Sequence, residues 1–93
     1  MATIFVVSYD IPSDKRRTKL AHALKDFGER VHFSVFECHL EEEGLEVMRK
    51  RALKLIDATE DSLRIYRLCG ECRERREVHG RGMLTEDPDV IIV

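Results

Sequence analysis

The chain has 93 residues, 43% of them hydrophobic and 37% charged, with a formal net charge of −2 from 16 cations and 18 anions. That length is one domain, the periodic apolar blocks exclude a disordered chain, and the charge balance excludes a uniformly basic nucleic-acid binder. Residues 1–7 are too short and lack the basic start of a signal peptide, and no stretch approaches a membrane span.

Residues 3–9 read as a strand. Ile4 and Val6 point one way and Phe5, Val7 and Tyr9 the other, so both faces are apolar and the strand is expected to be central. Pro12 ends it. Ser13 is placed to cap a helix over 14–27, whose stripe is Leu20, Leu24 and Phe27 with Ala21 and Ala23 beside it. Gly28 is placed to stop that helix.

Over 30–40, "RVHFSVFECHL" alternates twice: Val31, Phe33 and Val35, then Phe36, Cys38 and Leu40. The parity switches near Ser34 without Gly, Pro, Asn or Asp to make an ordinary tight turn, which predicts a sharply bent strand pair or a bulge. Glu41, Glu42 and Glu43 open a second helix with negative charge at its positive end. Its buried stripe is Leu45, Met48, Ala52, Leu55 and Ile56. Residues 57–61 read as a loop and 62–68 as another strand, apolar on both parities. Residues 69–88 are polar and hold three of the five glycines, which predicts a loop, with room for one short strand. "DVIIV" at 89–93 predicts a last strand.

The order β-α-β-β-α-β is the ferredoxin-like split βαβ arrangement of the α+β class, a single domain over 1–93 with an extension over 68–93. Its helices cover one face of the sheet. The second face is also apolar, and nothing in the chain is left over to cover it. A two-fold partner with the same face is the economical cover, so a homodimer through the sheet face is expected, with 89–93 adding a strand to the partner's sheet.

The end of the first strand carries the chemistry. Asp10 sits where the chain leaves the sheet, a position where an aspartate also serves as an ordinary turn cap. Alone it is a poor Mg²⁺ ligand set, since that ion takes one or two carboxylates plus waters and phosphates. A dimer would bring in a second Asp10, and the pair with Mg²⁺ suits phosphodiester cleavage. Lys15, Arg16 and Arg17 follow on the first helical turn, against the macrodipole. A phosphate docked there would explain them.

With these residues in view, the chain resembles the CRISPR-associated protein two family, the small partner of the CRISPR integrase. The matches are Tyr9, Asp10, Ile11, Arg16, Arg17, Gly28, Arg30, Val31, Ser34, Val35 and Phe36, with "SLRIYRLC" and "DVIIV" further on. His32 stands where the family usually has Gln. The resemblance implies a ferredoxin-like homodimer with metal-dependent endonuclease activity on RNA or DNA, using Mg²⁺ or Mn²⁺. It also implies a bridge between two integrase dimers, lying along double-stranded DNA in spacer acquisition. By the same resemblance Asp10 is the metal ligand and central catalytic residue, and Tyr9, Arg17, Arg30, Ser34 and Phe36 support it.

Residues 64–81 hold six arginines against three glutamates. Arg64, Arg67, Arg73, Arg75 and Arg76 are candidates for backbone phosphate contact, alongside Lys15, Arg16 and Arg17, with salt dependence and little sequence preference. Arg49, Lys50, Arg51 and Lys54 sit among acids and read as helix-surface ion pairs. "CGEC" at 69–72 has the spacing of half a zinc site or a redox pair; loop thiols without metal, able to form a local disulfide, is the favoured reading. Three cysteines without a signal peptide point to the cytoplasm. Two other readings stand beside the nuclease: a non-catalytic architectural subunit, and a sheet-based RNA-binding module. The latter would need exposed aromatics in an RNP-type motif, which is not in the sequence.

Overall fold

The computed structural model describes residues 2–86. The elements are β1 (Thr3–Asp10), α1 (Asp14–Leu24), β2 (Glu29–His32), β3 (Val35–Leu40), α2 (Glu42–Leu53), β4 (Ser62–Leu68) and α3 (Gly70–Glu74). The four strands form one sheet in the order β2-β3-β1-β4. Every neighbouring pair is antiparallel. This is the ferredoxin-like α+β arrangement expected from the element order. The strand expected over 89–93 lies outside the described residues.

Register sorts the side chains. Phe5 lies opposite Cys38 and Arg67, and Val7 opposite Phe36 and Ile65, on the face that meets the helices. Phe5, Val7, Tyr9, Phe36 and Cys38 pack there against Leu20, Ala21 and Leu24 of α1 and Leu45, Met48 and Ala52 of α2. Burying an aliphatic or Phe side chain contributes roughly 1.5–3 kcal/mol each, so this layer drives folding. Ser13 caps α1 as its position predicts, accepting a hydrogen bond from the Arg16 N–H at 3.2 Å.

Three local features differ from the sequence pattern, and one expected feature is present among them. The helix α1 stops at Leu24, and residues 25–27 are turn. Gly28 is needed for space: a Cβ there would lie 2.3 Å from the Glu37 carbonyl oxygen and 2.6 Å from the Cys38 sulfur. The sharp bend expected near Ser34 is present, as a two-residue turn at Phe33–Ser34 between β2 and β3 with a register shift between Arg30 and His32. The strand β4 is an edge strand with Tyr66 50% exposed, rather than one covered on both faces. The loop expected from Cys69 onward begins with α3.

The second face is not wholly bare, contrary to the expectation that nothing in the chain could cover it. Beyond α3 the chain returns across it, burying Thr85 to 4% exposure. Arg76 Nη1 lies 2.6 Å from Glu37 Oε1 and 3.0 Å from Thr85 Oγ1. The Thr85 hydroxyl lies 2.6 Å from the same Glu37 oxygen, and His39 Nε2 lies 2.9 Å from Thr85 Oγ1. A carboxylate accepts only, so the single Thr85 proton goes to Glu37 and His39 Nε2 carries its own hydrogen. This strap covers the β3 side of the face. Val6 stays half-buried, and Tyr66 stays exposed.

Candidate functional site

Asp10 is the last residue of β1, paired in register with Ser62 of β4. Its side chain is exposed and makes no hydrogen bond or ion pair among the described residues. Alternation along the strand turns it away from Tyr9, toward the second face. The most buried strand of the sheet therefore ends in one unengaged carboxylate, on the side where a partner copy was expected.

Around the same strand end, on the helix side, lies a cleft of about 370 Å³. Tyr9, Arg17, His22, Lys25, Arg30 and Phe33 line it. Tyr9 is its floor. The Tyr9 N–H donates to the Ser34 carbonyl at 3.1 Å, and the phenol donates to the Phe33 carbonyl at 3.4 Å. The β2–β3 turn is thus held against β1 from both ends of one residue. Phe36 is fully buried beneath, 6.4 Å from the Tyr9 ring centroid, and the Arg30 guanidinium lies 5.6 Å over the Phe36 ring. Arg17 donates to the Ile11 carbonyl at 2.8 Å and pairs with Asp14. It thereby holds the carbonyl of the first residue after Asp10.

Four of the expected supporting residues, Tyr9, Arg17, Arg30 and Phe36, come together in this one cluster. Ser34 joins through its backbone. Phe33, His22 and Lys25 were not singled out in the sequence. The signal for Phe33 was the parity switch, which leaves the residue at the turn with no sheet face to join.

The expected phosphate cations are less available than their positions suggest. Arg16 reaches across to the loop ahead of β4, with Nε 2.9 Å from Asp61 Oδ2 and Nη2 3.0 Å from Glu60 Oε2. Arg76 is committed to the strap. Arg67 pairs with Glu42 at 2.5 Å and stacks over Phe5, and Arg75 pairs with Glu71 at 2.7 Å. Arg64 donates to the Tyr66 phenol at 3.2 Å. Arg73 is half-buried. Lys15 is exposed and without an ion-pair partner among the described residues.

Residues 2–76 match the family described as CRISPR associated protein Cas2. The chain belongs to the Cas2 family. It is 49% identical over 90 residues to the CRISPR-associated endonuclease Cas2 2 of a Thermus thermophilus strain, spanning 97% of this chain and 96% of that one. It is 41% identical over 90 residues to the CRISPR-associated endoribonuclease Cas2 3 of Synechocystis, spanning 97% and 98%. The Streptococcus pyogenes Cas2 crystal structure superposes with a TM-score of 0.73 at 32% identity, covering 83% of this chain and 99% of that one.

Within this Cas2-family chain, the donor set for a metal is sparse. Among the described residues no three His, Cys, Asp or Glu side chains gather in a group able to hold an ion. Asp10 supplies one anionic, exposed, uncommitted oxygen donor. That suits a hard cation that keeps its waters and takes its remaining ligands from phosphate or a second carboxylate, and it suits no closed protein cage. Cys69 and Cys72 are exposed, with the Cys72 N–H 3.4 Å from the Cys69 sulfur. Among the described residues no helix is long and apolar enough to cross a membrane.

Proposed function

We propose that this Cas2-family chain acts in the cytoplasm as a metal-dependent endonuclease and as the nucleic-acid-binding bridge of a CRISPR spacer-acquisition complex. It works as a homodimer that partners the CRISPR integrase. The observation that carries this reading is Asp10: an exposed carboxylate without a partner at the end of a buried central strand. Its support is the family membership and the nuclease names of the close relatives.

The two chains meet through the second face, where Val6, Leu68 and Tyr66 keep apolar surface for a partner. Each would then contribute its Asp10, and the two carboxylates would hold Mg²⁺, or Mn²⁺ in its place. Such an ion would supply an activated water and charge stabilisation at the phosphate. The chain's own residues do the rest. Arg17 fixes the Ile11 carbonyl and hence the direction of Asp10. Tyr9 and Phe36 brace the strand end from the helix side. Lys15, at the start of α1, contacts a neighbouring phosphate without reading sequence.

A second reading is favoured by the single carboxylate per chain: the dimer is an architectural bridge, and Asp10 is not used for cleavage. Replacing Asp10 by Asn separates the two. Cleavage of single-stranded RNA, single-stranded DNA and duplex DNA is followed with Mg²⁺ and with chelator, and assembly with the integrase by analytical ultracentrifugation. The nuclease reading expects D10N to fall to the chelator rate while assembly persists. Undiminished cleavage by D10N overturns the catalytic role of Asp10.

A further inference from the structure

An exposed apolar side chain is ordinary on a protein surface. Phe33 is unusual in three respects that coincide. It is 84% exposed. It sits in a turn whose two carbonyls, those of Phe33 and Ser34, are both held by Tyr9. The His32 ring meets its ring edge-on at a centroid distance of 5.3 Å, so one side of the aromatic is propped and the rest is open. The held backbone fixes where the ring emerges, which lowers the ordering cost when something planar stacks on it.

The cleft beside it says what that something is. Arg17, His22, Lys25 and Arg30 line the cavity, and no carboxylate does. Arg17 is shared with Asp14 and the Ile11 carbonyl, but Lys25 and Arg30 have no acidic partner among the described residues. The volume of about 370 Å³ falls at the small end of ligand sites, which run about 300–1,000 Å³. A cationic hollow with a flat aromatic at its lip matches the chemistry of one nucleotide, phosphate inside and base on the ring. A base paired in a duplex has both faces stacked and is not available to Phe33.

We propose that Phe33 and the Lys25–Arg30 cleft form a subsite for one unpaired nucleotide of a single-stranded polynucleotide, the base stacked on Phe33. Tyr9 and Asp10 are consecutive residues with Cα atoms about 3.8 Å apart and side chains on opposite faces. A strand passing over the end of β1 therefore presents a phosphodiester on the Asp10 side while the flanking nucleotide sits on the Phe33 side. The inference rests on the nucleic-acid reading above and names the form of substrate that the same strand end takes. Phe33 acts as a specificity-determining contact, distinct from the cleavage chemistry.

The chain has no tryptophan, so Phe33→Trp introduces a single reporter. With chelator present, so that nothing is cut, F33W is titrated with single-stranded oligoribonucleotides and oligodeoxyribonucleotides, with abasic versions, and with blunt duplex. Quenching by either single strand, absent with abasic strand and duplex, is the expected result. Phe33→Ala and Phe33→Leu weaken single-strand binding roughly 5- to 150-fold and leave duplex binding unchanged. Lack of quenching, equal single-strand affinity in F33A, or a change in F33A sedimentation that marks Phe33 as a subunit contact overturns the proposal. Normal cleavage by D10N alongside quenching in F33W would remove the catalytic reading and leave this site standing.

Discussion

Arg16 and Asp61, 45 residues apart, close on each other through two parallel hydrogen bonds, Nε to Oδ2 at 2.9 Å and Nη2 to Oδ1 at 3.0 Å. The Asp61 side chain has no exposure to solvent and also accepts from the Asp57 N–H at 2.8 Å. The pair ties the first turn of α1 to the entry of β4, the two segments that flank the end of β1. Arg16 holds the Asp61 carboxyl below the usual carboxylate range. A depressed folded pKa contributes stability above the unfolded value of about 3.9, and that contribution is lost as the pH falls through the lower folded value. Asp61→Asn is expected to lower the urea midpoint at pH 7, and the gap from the parent should close as the pH drops below about 4. Urea titrations at neutral and acid pH check both limbs. A gap that persists at low pH removes the ionic explanation.

On the proposed function, the same pair leaves Lys15 rather than Arg16 open to a phosphate. Arg16 already satisfies two carboxylates, while Lys15 beside it is exposed. Each phosphate neutralised contributes about 0.9 to the log–log salt slope on duplex DNA. Lys15→Gln is expected to lower that slope by about one contact, and Arg16→Gln to leave it unchanged while reducing stability. Filter binding of a duplex across a salt series, with urea midpoints measured alongside, separates the two effects. A slope lowered by R16Q but unaltered by K15Q contradicts the assignment.

What the sequence showed, and what it hid, divide by range. The strand of residues 3–9, the Ser13 cap and the helix stripes as far as Leu24 and Ala52 are local patterns, periods of two and 3.6 residues that the folded chain obeys, whereas Phe27, Leu55 and Ile56 pack on the core from beyond the helix ends. Tyr9, Arg17 and Arg30 were singled out by resemblance, and the structure brings them to one cleft. Partnerships over 45 to 48 residues, Arg16 with Asp61 and Thr85 with Glu37 and His39, leave no periodic trace. Clusters of arginine therefore looked free when several were committed to acids. The edge position of β4 was hidden for a related reason. Leu63, Ile65, Tyr66 and Leu68 read as a covered strand, but strand order depends on which segments pair and not on any one segment's composition.

Gly28 shows how such a misreading is corrected by geometry. Its value lies in the close approach of the turn after α1 to β3, where a methyl group would meet the Glu37 carbonyl and the Cys38 sulfur. Both neighbours belong to a paired strand and have little freedom to withdraw. Gly28→Ala is expected to destabilise the fold by about 2–3 kcal/mol, the upper part of the usual overpacking range. Because Arg30 and the cleft follow within two residues, G28A should also weaken oligonucleotide binding at temperatures where the protein is still folded. Thermal and urea unfolding measure the first effect, and binding at low temperature the second. Stability equal to the parent would mean that the turn has room the packing denies it.

The three thiols are predicted to differ in reactivity by position, because only a thiolate attacks a disulfide reagent. Cys38, on β3, is fully buried between the sheet and the helices, and burial, with a smaller contribution from the neighbouring Glu37 charge, pushes its pKa up to about 12. Cys69 is exposed and is lowered below the ordinary thiol value, first by the Cys72 backbone N–H and then by the Cys72 thiol. Cys72 is raised, chiefly by the hydrogen bond it gives to Cys69. An aromatic disulfide reagent at neutral pH should therefore release two equivalents from the reduced native protein, Cys69 reacting first. The third equivalent should appear only with denaturant. Raising the pH from 6 to 8 should speed the slower of the two native reactions more than the faster, since Cys72 has more thiolate left to gain. After mild oxidation the native count should fall to zero while the denatured count stays at one, the mark of a disulfide between Cys69 and Cys72 with Cys38 untouched. A native protein that gives up three equivalents at a rate independent of denaturant would show that the layer between the sheet and the helices opens far more readily than its packing implies.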